Sequence, residues 1–226
     1  MINRAYFLNC LKRLVIDRKT YYCNQFPYNC GYIYENGGLS FDCIGMVKGM
    51  INYTEIVDKY TPAGFYIQPG TAIPDYSEIQ LLNHCTKKTW NDFLYIEPAE
   101  YLYMEGHGAF YVGELFGRGS NVNVVECTTA WGVNGVVASW IDRDGTRRDM
   151  EGGTPCGKWE AHGKFEQYID FNSPAFPINS IRKSNEEIAK EVIEGKWGVY
   201  PLRKYELEKA GYDYRTIQDM VNKMMS

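Results

Sequence analysis

Apolar residues recur at helical spacing within residues 2–17 and from Cys43 to about Tyr60, and shift to β-rich runs from about residue 93. They return to helical spacing after residue 185. Residues 2–17 predict a helix with Tyr6, Leu8, Leu11, Leu14 and Val15 on its core face. Residues 18–40, rich in Tyr, Asn, Gly and Pro, read as an irregular segment. Ile44, Met46, Val47, Met50 and Ile51 then mark a second helix, with Lys48 on another face, Cys43 in its first turn and Ser40 or Asp42 as N-cap. Helical character continues around Tyr53–Tyr60, turns follow at Pro62, Gly64, Pro69-Gly70 and Pro74, and residues 75–92 offer another short helix.

Five runs rich in β-branched and aromatic residues follow: Phe93–Ile96, Tyr101–Met104, Ala109–Val112, Val122–Cys127 and Gly135–Ile141. Glycine or charged turns separate them, which predicts an antiparallel meander. Helices first and strands after indicate an α+β domain rather than a βαβ series. Lys158 to Phe171 closes that domain, and residues 172–184 form a linker. Residues 185–226 read as three short helices around Trp197. Asn185 caps the first and Gly195 stops it, Pro201 opens a second that ends at Gly211, and Ile217, Val221 and Met224 share a face of the third.

Composition narrows the partners. A net charge of -4 leaves no basic footprint for nucleic acid, and 45% apolar with 23% charged residues is ordinary for a soluble globular chain. The 19 tyrosines and 5 tryptophans suit carbohydrate or polymer surfaces, and equally a core with satisfied hydroxyls. Seven cysteines without a C-x-x-C pair favour reduced thiols over a disulfide framework or a zinc site, so no metal or cofactor is expected. Met1–Val15 is amphipathic and lacks a continuous apolar stretch, and no run is long enough to span a membrane. The expectation is a protein made in the cytoplasm without a signal peptide and without membrane insertion, which something else must deliver if its target lies outside.

The chemistry gathers at Asp42-Cys43-Ile44-Gly45. A cysteine in the first turn of a helix meets unpaired backbone N–H groups and the positive end of the helix dipole, which favour the thiolate and can hold an oxyanion. Most cysteines are inert core filling, so a base is needed. His107 opens a strand between Gly106 and Gly108 and can supply one, although a lone histidine is commonly structural. Glu126, an acid amid Val124, Val125 and Cys127, reads either as the residue that orients the imidazole or as an outward-facing strand residue.

Phe41–Gly45, Gly106–Gly113 and Val125–Cys127 together resemble the three signature blocks of the NlpC family of papain-like cell-wall peptidases, over roughly residues 5–170. The resemblance implies N-terminal helices packed on an antiparallel sheet, with Cys43 as nucleophile, His107 as base, Glu126 as orienting residue and Asp42 in support. It also implies a tyrosine near the thiol, Tyr22 or Tyr21. Ile44 and Gly108 depart from the family pattern, which commonly has Ser and Val there; the usual Trp-Gly-Gly is absent, and residues 52–104 are longer than in compact members. The tail, through Ile188–Gly198, Arg203, Ala210–Tyr214, Ile217-Gln218 and Val221-Asn222, is similar to the Cpl-seven cell-wall-binding repeat of phage lysins. That similarity implies the disaccharide-peptide unit of peptidoglycan as partner, with Trp197, Arg203, Tyr212 and Tyr214 as candidate contacts, Trp197 reading equally as a core anchor.

Both resemblances imply a catalytic domain at 1–171, a linker at 172–184 and a wall-binding repeat at 185–226. The implied activity is that of an endolysin-like peptidoglycan hydrolase cutting an amide of the stem peptide as a γ-D-glutamyl–diamino-acid endopeptidase. The alternatives are an N-acetylmuramoyl-L-alanine amidase with the same triad and a catalytically silent wall-binding protein.

Overall fold

The computed structural model describes residues 1–68, 70–117, 120–150, 153–176, 184–200, 203–204, 207 and 212–225. The chain divides into two compact units: Met1–Phe116 with Ser120–Ala175, and a second dominated by Phe176–Ser226.

In the first unit, β1 (Ile2–Asn3) leads into α1 (Arg4–Ile16), where Asn3 Oδ1 accepts from the Tyr6 N–H at 3.0 Å and caps the helix. Phe7, Leu8, Cys10, Leu11 and Leu14 form its buried face, and Phe7 meets the Phe110 ring edge-on at 4.9 Å. The buried stripe is thus rotated from the expected one. Tyr6 lies at its margin with its hydroxyl donating to Asp58, and Val15 is half-buried.

Residues 18–40 are not irregular. They hold β2 (Thr20–Tyr22), β3 (Cys30–Ile33) and β4 (Leu39–Phe41), with β4 central, parallel to β2 and antiparallel to β3. Strands this short offer too few positions for alternation to show. Then α2 (Cys43–Asn52) buries Met46, Val47, Met50 and Ile51, and also Lys48, whose ammonium pairs with Asp75. Residues 53–60 form only a 3₁₀ turn at Thr54–Val57, and α3 is confined to Glu78–His84.

The main sheet has eight strands: β5 (Thr86–Trp90), β6 (Tyr101–Met104), β7 (His107–Tyr111), β8 (Val124–Thr128), β9 (Gly135–Ile141), β10 (Thr146–Arg148), β11 (Pro155–Lys158) and β12 (Ala161–Lys164). Their order is β11-β10-β9-β8-β7-β6-β12-β5, antiparallel throughout. Helices α1 and α2 pack on its centre, at β7, β8 and β9. A parallel pair of β1 with β13 (Ile169–Asp170) closes the unit. The architecture is α+β as expected, with β5, β10, β11 and β12 joining the four expected strands that form, but the run at 93–96 is not a strand. There Phe93 is core filling for a turn, beside Leu102, Val124 and Trp159, while Leu94 and Tyr95 are exposed.

The second unit contains α4 (Asn185–Ile193) and α5 (Tyr214–Met225) around Ile188, Ala189, Val192, Leu207, Tyr212, Ile217 and Val221. Ser184 rather than Asn185 caps α4. Its hydroxyl accepts from the Glu187 N–H at 3.1 Å, and the Glu187 carboxylate accepts from the Ser184 N–H at 2.7 Å. Gly195 follows the helix at φ +79°. Met224, expected inward, is 40% exposed. Most of the expected helix from Pro201 to Gly211, and linker residues 177–183, lie outside the described residues. No described helix is long and apolar enough to cross a membrane.

Candidate active site

The start of α2 is built around Asp42. It lies in extended backbone, and its Oδ1 accepts from the Gly45 N–H as the N-cap. Its Oδ2 accepts from Asn29 Nδ2 at 3.1 Å, and its N–H donates to Asn29 O at 3.0 Å. Ser40, the other candidate cap, instead donates its hydroxyl to Tyr28 O at 2.6 Å. Asn29 approaches so closely that a Cβ on Gly45 would lie 1.6 Å from its carbonyl oxygen. Glycine therefore permits this helix start.

Ile44 and Gly108 face each other. A Cβ on Gly108 would lie 2.8 Å from Ile44 Cδ1 and 2.7 Å from the Tyr101 hydroxyl oxygen. The larger residue at 44 takes the volume that the smaller one at 108 leaves, so α2 rests close against β7. The buried Cys43 thiol consequently sits between the backbone groups flanking His107. Its Sγ–H points to Gly106 O at 3.7 Å, and the Gly108 N–H is among its partners.

Burial, followed by the Asp42 charge, pushes the Cys43 thiol up to about 11, against the lowering effect of the Ile44, Gly108 and Cys43 N–H groups. The expectation of a ready thiolate is corrected: three amide donors do not offset desolvation beside a carboxylate. We expect iodoacetamide alkylation of Cys43 to accelerate about tenfold per pH unit across the neutral range, levelling only near pH 11. A plateau already at pH 7, followed by mass spectrometry of the Cys43 peptide, contradicts this.

His107 opens β7, its side chain largely buried, and its ring lies over Trp159 at 5.5 Å and 27°. His107 Nε2 stands 2.7 Å from Glu126 Oε2. An ionised carboxylate only accepts, so the ring proton is on Nε2, leaving Nδ1 as the nitrogen for proton transfer.

Glu126 is fully buried, which excludes the outward-facing reading. Ser139 Oγ donates to Oε1, Arg147 Nε donates to Oε1 at 3.1 Å and Oε2 at 2.9 Å, and Arg147 Nη2 also donates to Oε2. Burial by itself would raise the Glu126 carboxyl. Hydrogen bonds and charge from His107 and Arg147 outweigh it and hold the group at about 2.

Arg147, on β10 two strands from Glu126, has no counterpart among the residues expected from sequence. It is 4% exposed, and also donates to Thr128 Oγ1 at 2.9 Å and Cys156 O at 3.0 Å. Its guanidinium carbon lies 4.5 Å from the Trp131 ring centroid and 6.0 Å from that of Trp159. Trp131 adopts φ +57°, an uncommon conformation for a bulky residue, while its Nε1 donates to Thr154 O at 3.1 Å. One signal could have found Arg147: a buried carboxylate requires a buried cation.

Tyr22 is the tyrosine beside the thiol. Burial and then the neighbouring Cys43 and Asp42 raise its hydroxyl to about 12. Tyr21 points elsewhere, its hydroxyl accepting from Asn36 Nδ2 at 3.0 Å. The other histidines do not join the site: His84 Nε2 meets the Tyr168 hydroxyl, and His162 bonds Glu100 and Asp92 O. No group of three or more His, Cys, Asp or Glu poised for a metal occurs among the described residues.

In the second unit Tyr212 is 7% exposed within the core, so it is a packing residue rather than a surface contact. Trp197 combines both expected readings. It packs half-buried against that core with its ring 6.2 Å from Tyr212, and Nε1 donates to Glu191 Oε2 at 3.1 Å. Tyr214 is half-buried beside Tyr200. Arg203 donates to Gly198 O at 2.9 Å and Gln218 Oε1 at 3.3 Å, tying the turn after α4 to α5.

Comparison with curated proteins returns no match to the chain, and comparison with solved structures returns none either. No NlpC catalytic domain is detected. Residues 186–225 match the CW_7 repeat, a cell-wall-binding repeat, which supports a cell-wall-associated protein.

Proposed function

We propose that the first unit is a cysteine hydrolase that cuts an amide in the stem peptide of peptidoglycan, with Cys43 as nucleophile, His107 as base and Glu126 as the residue that orients the imidazole. One observation carries the reading: the Cys43 thiol contacts the backbone groups on either side of a histidine whose Nε2 is held by a buried carboxylate. Because burial keeps the thiol protonated, its proton passes to His107 Nδ1 as sulfur attacks the amide carbonyl. The N–H groups at the start of α2 stabilise the oxyanion. His107 then protonates the leaving amine, and water attacks the thioester, returning the thiol and releasing the carboxylate. The wall-binding repeat supports peptidoglycan as the polymer. Resemblance to NlpC peptidases favours the γ-D-glutamyl–diamino-acid bond over the muramoyl–L-alanine bond, and the same groups can cut either.

Digestion of purified sacculi by the full chain, with fragments identified by mass spectrometry, tests the proposal. New free amines on the diamino acid support the endopeptidase and new L-alanine amines the amidase. Binding to sacculi without any fragment release, across several wall chemotypes, leaves a silent wall-binding protein and ends the enzymatic reading.

A further inference from the structure

Glu126 presents an electrostatic problem that its neighbours resolve. A lone buried carboxylate touching an imidazole would stabilise the imidazolium and pull the base toward its charged form. Here both carboxylate oxygens are also bound by the Arg147 fork, in a pocket closed by Trp131 and Trp159. The ion pair carries no net charge, as with a single neutral amide at this place.

We propose that Arg147 is a positioning residue acting through Glu126: its guanidinium fork fixes the carboxylate and offsets its charge, so that His107 Nε2 meets a fixed, net-neutral hydrogen-bond acceptor. The catalytic consequence rests on the function proposed above; the effect on His107 itself does not. Other titratable groups around the ring and thiol, among the described residues, include Tyr101 of β6 and Cys127 of β8. Cys43 and Asp42 lie at the start of α2 and Tyr22 comes from β2. Glu78 of α3 reaches the Gly106 N–H at 3.4 Å. None of these binds Nε2, where the Glu126–Arg147 pair acts.

The test compares E126Q, R147M and the E126Q/R147M double variant of the full chain, with R147K as the conservative control. Two readouts are needed. The first is the His107 ring titration followed by NMR, which does not depend on turnover. R147M should raise its midpoint by about one pH unit or more, because the carboxylate is left uncompensated. R147K, which keeps the charge, should shift it less, and the double variant should return it to the wild-type position. The second readout is kcat/KM on sacculi. Each of E126Q and R147M should lose about a hundredfold, one by stranding the guanidinium and the other the carboxylate, and the double should recover to within about tenfold of wild type.

An unchanged His107 midpoint in folded R147M overturns the proposal, and so does a double variant no better than the worse single. If R147M does not fold, E126Q and the double carry the comparison: E126Q, which leaves the guanidinium uncompensated, should lower the midpoint and the double restore it, and an unchanged midpoint in E126Q overturns the proposal. A wild-type chain that releases no fragments fails the proposed function alone, while the titration still decides the role of Arg147.

Discussion

Cys43→Ala should abolish fragment release from sacculi, lowering kcat/KM by about ten-thousandfold or more, while the melting temperature stays within about 4 °C of wild type. The two halves of this expectation have separate causes. The sulfur forms the bond on which the proposed reaction depends, and no neighbouring group can replace it. Cys127 is buried with its thiol donating to Phe41 O at 3.3 Å, and Tyr22 stays un-ionised because its hydroxyl is raised to about 12. Structurally, the thiol contributes a long contact to Gly106 O, weak contacts to the Gly108 N–H and Tyr22, and a small packing volume. A melting curve and a turbidity assay on the same preparation check both halves. Retained lysis at near wild-type rate by folded Cys43→Ala would sink the nucleophile assignment.

Gly45→Ala, two residues along the same turn, should behave in the opposite way. A helix position usually prefers alanine to glycine by about 0.5–1 kcal/mol. Here the added methyl would stand 1.6 Å from Asn29 O and 2.7 Å from the Asn29 carbonyl carbon, both backbone atoms that no rotamer change can remove. Either the 26–29 segment or the helix start must shift, breaking the bonds of Asp42 to Asn29 and to the Gly45 N–H. We expect about 3 kcal/mol of destabilisation, a fall of about 10 °C in melting temperature, and activity lost along with the fold. A variant that melts within about 2 °C of wild type would show that the loop yields, and that Asn29 is not the constraint.

These variants bear on how far the sequence could be read. Cys43, His107 and Glu126 stood out because their signals are local: an N-capping acid ahead of a helical run, glycines around a strand-opening histidine, and an acid inside an apolar strand. The structure joins His107 to Glu126 and brings Cys43 to the backbone beside His107. Arg147 gave no local signal, because its meaning comes from Glu126, 21 residues earlier on another strand, whose charge it neutralises. The protonation of Cys43 was misread for a related reason. Helix-start donors are visible in sequence, whereas the depth of burial that outweighs them is a property of the packed fold.

The three-stranded sheet within 18–40 escaped detection because short strands carry almost no period. Phe93–Ile96 has strand composition and yet forms a turn that plugs the core with one ring. In the tail, Ser184 and Asn185 are both good capping residues. The acid three positions after Ser184 decides between them, through the reciprocal pair with Glu187.

The outermost strands of the eight-stranded sheet bear on how the chain behaves when crowded. On one side β11 begins with Pro155, which has no N–H to offer, and its ladder with β10 loses register between Thr146 and Arg148. On the other, β5 carries Lys87 and Lys88, Lys87 lies at φ +47°, and the pairing with β12 slips between His162 and Lys164. Neither margin offers a flat row of unpaired donors and acceptors on which a second molecule could add a strand. A chain with an antiparallel sheet this wide is thereby protected from polymerising through its edges, and should remain dispersed at concentrations where an unguarded sheet of the same span would form fibres.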